Sequence, residues 1–266
     1  MIDNSYRGDK AVNFLAKIIA IANQKGGVGK TTTAVNLSAC LGKLGKRVLL
    51  VDFDPQGNAT TGCGLDKTSL EKSVYQVIMR ELTLKDVVQH TEYQIDVLPA
   101  SIDLAGAEVE LATSEERETR LKDALDTARG DYDYIIIDCP PSLGLLSLNS
   151  LAAADGILVP IQCEFYALEG LSQIVDTIDL VHEEINPDLQ IAGVLLTMFD
   201  PRTNLSAQVV EEVKKFFEDK VFDTIIPRTV RLSEAPSYGM PVIAYDSSAK
   251  GAKVYMELAE EVLRRD

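Results

Sequence analysis

An apolar run of strand length, IIAIA (18–22), passes into a glycine loop, NQKGGVGKT (23–31), which opens directly into a helical pattern. No other feature of the chain restricts its fold so strongly. Gly26, Gly27 and Gly29 let the backbone curl until successive N–H groups point inward, and a helix starting near Lys30 adds the positive end of its dipole. The result is a cradle for phosphate at the end of a strand. Lys30 reaches the β- and γ-phosphates as a point charge, and the Thr31 hydroxyl is placed to ligate Mg²⁺.

Periodicity along the chain predicts what surrounds this loop. Strand-length runs recur as IIAIA (18–22), RVLLVDFD (47–54), IDVLPA (95–100), YIIIDCPP (134–141), GILVPIQ (156–162), IAGVLLTMF (191–199) and DTIIP (223–227). Most are continuous rather than alternating, as parallel strands covered on both faces require. Between them, TTAVNLSACLGKLG (32–45) stops at Gly45, and SAQVVEEVKKFFED (206–219) sets Val209, Val210, Val213, Phe216 and Phe217 on one stripe. This alternation predicts an α/β fold: a doubly wound, mostly parallel sheet flanked by helices, of the P-loop NTPase type. A single domain is expected over residues 16–266, with residues 1–15 forming a loosely ordered N-terminal extension. Ligands of such sheets sit beyond the carboxyl ends of the strands. Asp52 and Asp54 close one strand and Asp138 another, so all three can face the crevice that holds the glycine loop.

Composition narrows the function classes. The longest uncharged apolar stretches fall short of the roughly 20 residues that cross a bilayer. Cys40, Cys63, Cys139 and Cys163 show no C-x-x-C pairing, and with only His90 and His182 beside them they predict no zinc site and a reducing cytoplasm. A net charge of −15 argues against nucleic-acid binding by the whole surface. The charge is uneven, however: residues 200–253 hold 8 Lys/Arg against 8 Asp/Glu. Gln24 stands where the strict G-x-x-x-x-G-K-[ST] pattern has glycine. With no N-K-x-D base-reading motif in the chain, ATP is favoured over GTP.

Several blocks together resemble the ParA/Soj partition ATPases: KGGVGKTT with its extra Lys25, VDFDPQGNAT (51–60), IIIDCPPSLG (135–144), PIQCEFYALEGL (160–171) and PRTVRLSEAPSYGMP (227–241). The likeness runs from about Lys17 to the C-terminus. It implies a nucleotide loop made of Lys25, Gly26, Gly27, Val28, Gly29, Lys30, Thr31 and Thr32. It also implies an ATP-loaded homodimer in which each Lys25 reaches the phosphates of the opposite subunit. Asp54 is then expected to orient the attacking water in a catalytic set with Lys25 and Lys30. Asp52 and Asp138 are expected near Mg²⁺ with Thr31. Pro227 and Thr229 should line the adenine region, Thr229 standing where relatives commonly carry asparagine.

By the same resemblance the ATP dimer binds DNA non-specifically through basic residues of the balanced segment, Arg202 and Arg231 first, with Arg228, Lys250 and Lys253 in support. A ParB-like centromere-binding protein is the expected partner, accelerating a slow basal hydrolysis, in a cytoplasmic and nucleoid-associated protein that segregates chromosomes or plasmids. The main alternative is a MinD-like ATPase that cycles on membranes, which would end in a basic amphipathic helix. Here AKVYMELAEEVLRRD (252–266) carries Glu257, Glu260 and Glu261 on its polar face, predicting a helix packed on the core and no membrane partner. An iron–sulfur ATPase would need cysteines at a dimer seam, for which only Cys139 is suitably placed.

Overall fold

Lys17–Ile21, the run before the glycine loop, forms β1 at the interior of the sheet, paired in parallel with β5 (Tyr134–Asp138) on one side and β6 (Gly156–Gln162) on the other. The computed structural model describes residues 15–142, 144–164 and 167–266, with side chains for all of these but 167–174. The expected N-terminal extension lies outside the described residues except for exposed Leu15. The remaining strands are β2 (Val48–Asp52), β3 (Gln89–His90), β4 (Asp96–Leu98) and β7 (Gln190–Thr197), giving one seven-stranded sheet in the order β3-β4-β2-β5-β1-β6-β7. Every pairing is parallel except the short β3–β4 edge.

Alternate residues of these strands feed two separate cores, which is why the runs are apolar throughout. Ile18, Ala20, Leu49, Val51, Ile135 and Ile137 face one way, with Leu104, Leu121, Leu125, Leu151 and Val213 packed over them. Ile19, Ile21, Leu50, Ile136 and Leu158 face the other, beneath Leu37, Leu41, Tyr255, Leu258 and Val262. These last come from the Lys30–Lys43 and Lys250–Arg265 helices. The first of these stops as its sequence requires: Gly45 adopts φ 85°, and Lys46 N–H donates to the Leu41 carbonyl at 3.1 Å. The apolar stripe of the C-terminal helix is buried against the core and Glu257 and Glu260 face outward, but Glu261, expected on the same polar face, is itself buried.

One expected strand is not a strand. DTIIP (223–227) runs beside β7 as a loop, with Ile226 N–H donating to the Leu196 carbonyl at 2.9 Å and isolated bridges at Val194–Val221, just before the run, and Phe199–Pro227, at its end. The cause is a side chain from the C-terminal helix. Buried Glu261 accepts the Asp223 and Thr224 amides at 2.8 and 2.9 Å and so diverts them from a ladder. Burial alone would raise the Glu261 pKa, but these amides and the Arg265 charge outweigh it and hold the carboxyl below its ordinary value. The loop leading to Pro227 is therefore anchored by one carboxylate.

A carboxylate with a depressed folded-state pKa stabilises above its unfolded value and loses that contribution as pH falls through the folded one. Glu261→Ala should therefore lower stability at pH 7 by about 1–3 kcal/mol, since two half-buried amides lose their acceptor. The gap to wild type should narrow below pH about 4.5. Chemical denaturation at pH 7 and pH 3.5 checks this; an equal loss at both would refute the electrostatic part.

Candidate active site

Strand register brings the acidic residues level with the glycine loop. Asp52 pairs with Asp138 across β2 and β5, and Ile21 pairs with Asp138 across β1 and β5, so three strand ends finish together. The chain leaves Ile21 and turns at once into the loop. Asn23 braces that turn, accepting Lys25 N–H at 2.9 Å while its amide donates to the Pro160 carbonyl at 2.8 Å. Gly27 and Gly29 take φ 77° and 94°, a left-handed backbone that a side chain would strain. Gly29 caps the Lys30–Lys43 helix without any side-chain hydrogen bond, leaving its first amides to serve an anion.

Lys30 is buried, and its ammonium donates to the carbonyls of Asn23 at 2.9 Å and Lys25 at 3.1 Å, so it lies across the mouth of the loop. Burial lowers its pKa, while the charges of Asp138 and Asp54 pull the other way. Lys25 points elsewhere. Its ammonium is ion-paired with Glu164 of its own chain, just beyond β6.

The acids divide by environment. Asp52 is fully buried, and Thr60 donates to it from both its N–H and its hydroxyl at 2.7 Å, while Asp54 N–H reaches its other oxygen at 3.3 Å. Burial still pushes its pKa up to about 6, against those hydrogen bonds. Thr60 also accepts the Ala100 amide at 3.0 Å, so Asp52 organises the turn after β2. Asp54 is largely buried, with one oxygen accepting Gln56 N–H at 2.9 Å.

Asp138 differs from both: it is fully buried, and neither oxygen has a hydrogen-bond partner among the described residues. Burial first, then the charges of Asp52 and Asp54, drive its pKa well above the carboxylate range, while Thr31 and Lys30 draw it back. An orphaned carboxylate beside a threonine hydroxyl fits a hard cation that binds through one or two carboxylates and water. Asp52, with its oxygens already engaged by Thr60 and Asp54, fits a supporting role rather than direct ligation.

A cavity of about 390 Å³ adjoins the loop, lined by Gly29, Thr32, Pro227, Thr229 and Tyr255 among others. Pro227 and Thr229 thus meet the loop as the resemblance implies. The Thr229 hydroxyl is buried without a hydrogen-bond partner among the described residues. Met198 also lines the cavity, at a strained φ of 52°. Thr197 donates to the Val28 carbonyl at 2.8 Å and ties the loop to β7.

Asn23, Thr60, Glu164 and Thr197 carry this geometry, and sequence reasoning singled out none of them. Glu164 does sit inside a quoted block, and Asn23 directly follows the first strand. The four cysteines are buried and free, and burial pushes the Cys139 thiol up to about 12. Among the described residues no group of three or more His, Cys, Asp or Glu could hold a metal, and no helix is long and apolar enough to cross a membrane.

The five basic residues expected at DNA are all exposed. Arg202 is held by Asp200 at 2.6 Å, and Arg231 by Glu234 at 2.8 Å. Arg228, Lys250 and Lys253 make no ion pair among the described residues, so the unneutralised charge falls on the three that the sequence ranked second.

Comparison with known proteins is consistent across the chain. A family model described as an AAA domain matches residues 16–191. The chain is 60% identical over 249 residues to the sporulation initiation inhibitor protein Soj of Bacillus subtilis strain 168, covering 93% of this chain and 98% of that one. It is 53% identical to the chromosome partitioning protein ParA of Myxococcus xanthus strain DK1622, covering 98% of this chain and 92% of that one. A crystal structure of cobyrinic acid a,c-diamide synthase from Mycobacterium smegmatis with bound ADP and magnesium superposes with a TM-score of 0.84 at 42% identity, covering 94% and 95% of the two chains. The same protein with a bound ATP analogue and magnesium gives the same TM-score.

The tie between Asp52 and Thr60 makes a direct prediction. Thr60→Val should lower stability by about 1–3 kcal/mol, because it strips a buried carboxylate of one donor and the Ala100 amide of its acceptor. Thr60→Ser should stay close to wild type in denaturation midpoint. Equal stability of the Val variant would refute the role given to this pair.

Proposed function

We propose that this chain, which belongs to the Soj/ParA family of chromosome-partitioning ATPases, is a magnesium-dependent ATP switch that dimerises on ATP, binds DNA non-specifically as the dimer and hydrolyses ATP to segregate chromosomes or plasmids. The observation that carries the reading is the convergence at one sheet edge of an uncapped helix start, a buried Lys30 and the orphaned Asp138. A triphosphate in the glycine loop gives the uncapped amides and Lys30 an anion to hold. The neighbouring cavity is of a size to take the base, with the Thr229 hydroxyl as an unused hydrogen-bonding group there.

Magnesium bound near Asp138 and Thr31 would neutralise charge that develops on the phosphates. Asp54, held by Gln56 at the end of the same turn, orients the water. Phosphoryl transfer asks for placement more than covalent chemistry, and with no arginine finger evident in the sequence the basal rate is slow. A ParB-like partner supplies the acceleration.

Lys25 is the dimer's sensor. In the single chain its charge is balanced by Glu164, so a second subunit gains only if a triphosphate offers Lys25 a more negative partner than Glu164 does. ATP supplies that and ADP, one phosphate shorter, does not. The membrane-cycling alternative loses support from the C-terminal helix, whose apolar residues Tyr255, Leu258 and Val262 are buried in the core.

Three measurements test this reading. Lys25→Ala should keep nucleotide binding and lose ATP-dependent dimerisation in light scattering, whereas persistence of the dimer would remove Lys25 from the interface. A gel shift on random-sequence DNA should show binding with ATP and not with ADP, weakening as salt is raised; binding indifferent to nucleotide would overturn the switch. Asp54→Ala should accumulate as the ATP-bound dimer, and rapid turnover by that variant would exclude Asp54 from catalysis.

A further inference from the structure

Next to the basic residues lies an aromatic feature that electrostatic DNA binding does not require. Tyr238 is 63% exposed, yet it is not a loose surface side chain. One face of its ring stacks on Tyr245, with centroids 5.0 Å apart and planes inclined by 28°. The Arg231 guanidinium in turn lies 5.8 Å from the Tyr245 ring centre. Tyr245 thus contacts both the Tyr238 ring and the Arg231 guanidinium, while Tyr238 stays largely open to solvent.

The backbone beneath this stack is held in place. Gly239, directly after Tyr238, takes φ 66°, and its carbonyl accepts the Tyr93 hydroxyl at 3.1 Å. A Cβ at Gly239 would lie 3.1 Å from the Gly64 Cα, so only glycine admits this approach of the two turns. The outer ring is therefore presented on a pre-positioned support and needs little ordering on contact.

Charge surrounds the stack unevenly. Arg231 is paired with Glu234 at 2.8 Å and lies near Asp246 at 3.6 Å, so it contributes a planar stacking surface more than net charge. Positive charge comes instead from exposed Arg228 and Lys250. Leu232 joins these elements, its Cγ only 2.8 Å from where a Gly251 Cβ would stand. Val230, 71% exposed, extends the apolar part of the surface. An open aromatic face on a ring stacked against one that also meets a guanidinium, in a segment that carries the exposed Arg228 and Lys250 without ion pairs among the described residues, matches the chemistry of an unpaired nucleobase on its phosphate backbone.

We propose that Tyr238, backed by Tyr245 and Arg231, is a stacking platform for unpaired bases, giving this chain a single-stranded DNA site beside the contacts that hold duplex phosphates. The proposal rests on the DNA-binding reading above and adds a contact that salt does not screen. Duplex bases are already stacked on one another and offer the ring no face, whereas a single strand does.

The test uses the full chain with ATP and two probes, oligo(dT) and a duplex of matched length. The chain contains no tryptophan, so Tyr238→Trp introduces a lone reporter at the platform. Its emission should be quenched by oligo(dT) and scarcely changed by the duplex. Tyr238→Ala should weaken oligo(dT) binding about five- to hundredfold with the salt slope unchanged, while Tyr238→Phe binds like wild type. Lys250→Ala should instead reduce the slope for both probes. Unquenched emission with oligo(dT) bound, or an Ala variant that binds oligo(dT) as tightly as wild type, would overturn the platform even where duplex binding persists. Failure of the wild type to bind either probe with ATP would overturn the DNA-binding reading, and the platform with it.

Discussion

Buried charge at the carboxyl edge of the sheet is the constraint from which the rest of this structure follows. Asp52, Asp54, Asp138 and Lys30 are all more than nine-tenths shielded from solvent, within one turn of the same strand ends. Leaving a buried ionised group without a partner is strongly unfavourable, so each must be satisfied or await a ligand that satisfies it. Asp52 is satisfied by Thr60 and the Asp54 amide, and Lys30 by loop carbonyls. Asp138 is not satisfied within the described chain. On the proposed function, that group is kept for magnesium and the nucleotide that brings it.

The same constraint explains why the site is braced from so many directions. Asn23 fastens the loop to β6 and Thr197 fastens it to β7, while Asn36 donates to the Thr32 carbonyl and accepts Val242 N–H at 2.7 Å. Glu261 fixes the approach to Pro227. Apart from the Asn36–Thr32 bond, these braces reach across 37 or more residues, so they tie the nucleotide loop and the approach to Pro227 to distant parts of the chain. Leu232 belongs to both the cavity wall and the seam with Gly251. The cavity-wall residue Leu232 and exposed Arg231 therefore sit side by side on a single short helix.

Much of this was legible in the sequence, for identifiable reasons. Six of the seven expected strands are strands, because continuous apolar runs bounded by polar residues admit few other folds when helices alternate with them. The glycine loop was legible because backbone geometry alone demands its glycines. DTIIP misled because it has the composition of a strand, and the side chain that diverts its amides, Glu261, lies 38 residues away along the chain. The short Gln89–His90 edge carried no periodic signal. Among site residues, Asp138 and Asp52 look alike as acids at strand ends, and only the position of Thr60 separates a satisfied carboxylate from an orphaned one. The ranking of the basic residues was similarly blind to Asp200 and Glu234, near neighbours in sequence whose side chains cap Arg202 and Arg231.

Lys25 holds the centre of the proposed function, since its charge is balanced by Glu164 in one chain and, on that proposal, is required by phosphate in the next. The measurement that bears on it most directly is a structure of the full chain with Mg²⁺ and a non-hydrolysable ATP analogue. The account predicts two copies face to face, each Lys25 ammonium parted from Glu164 and in contact with the opposite subunit's phosphates. A nucleotide-loaded chain in which Lys25 still pairs with its own Glu164, with no second copy at the loop, would contradict it.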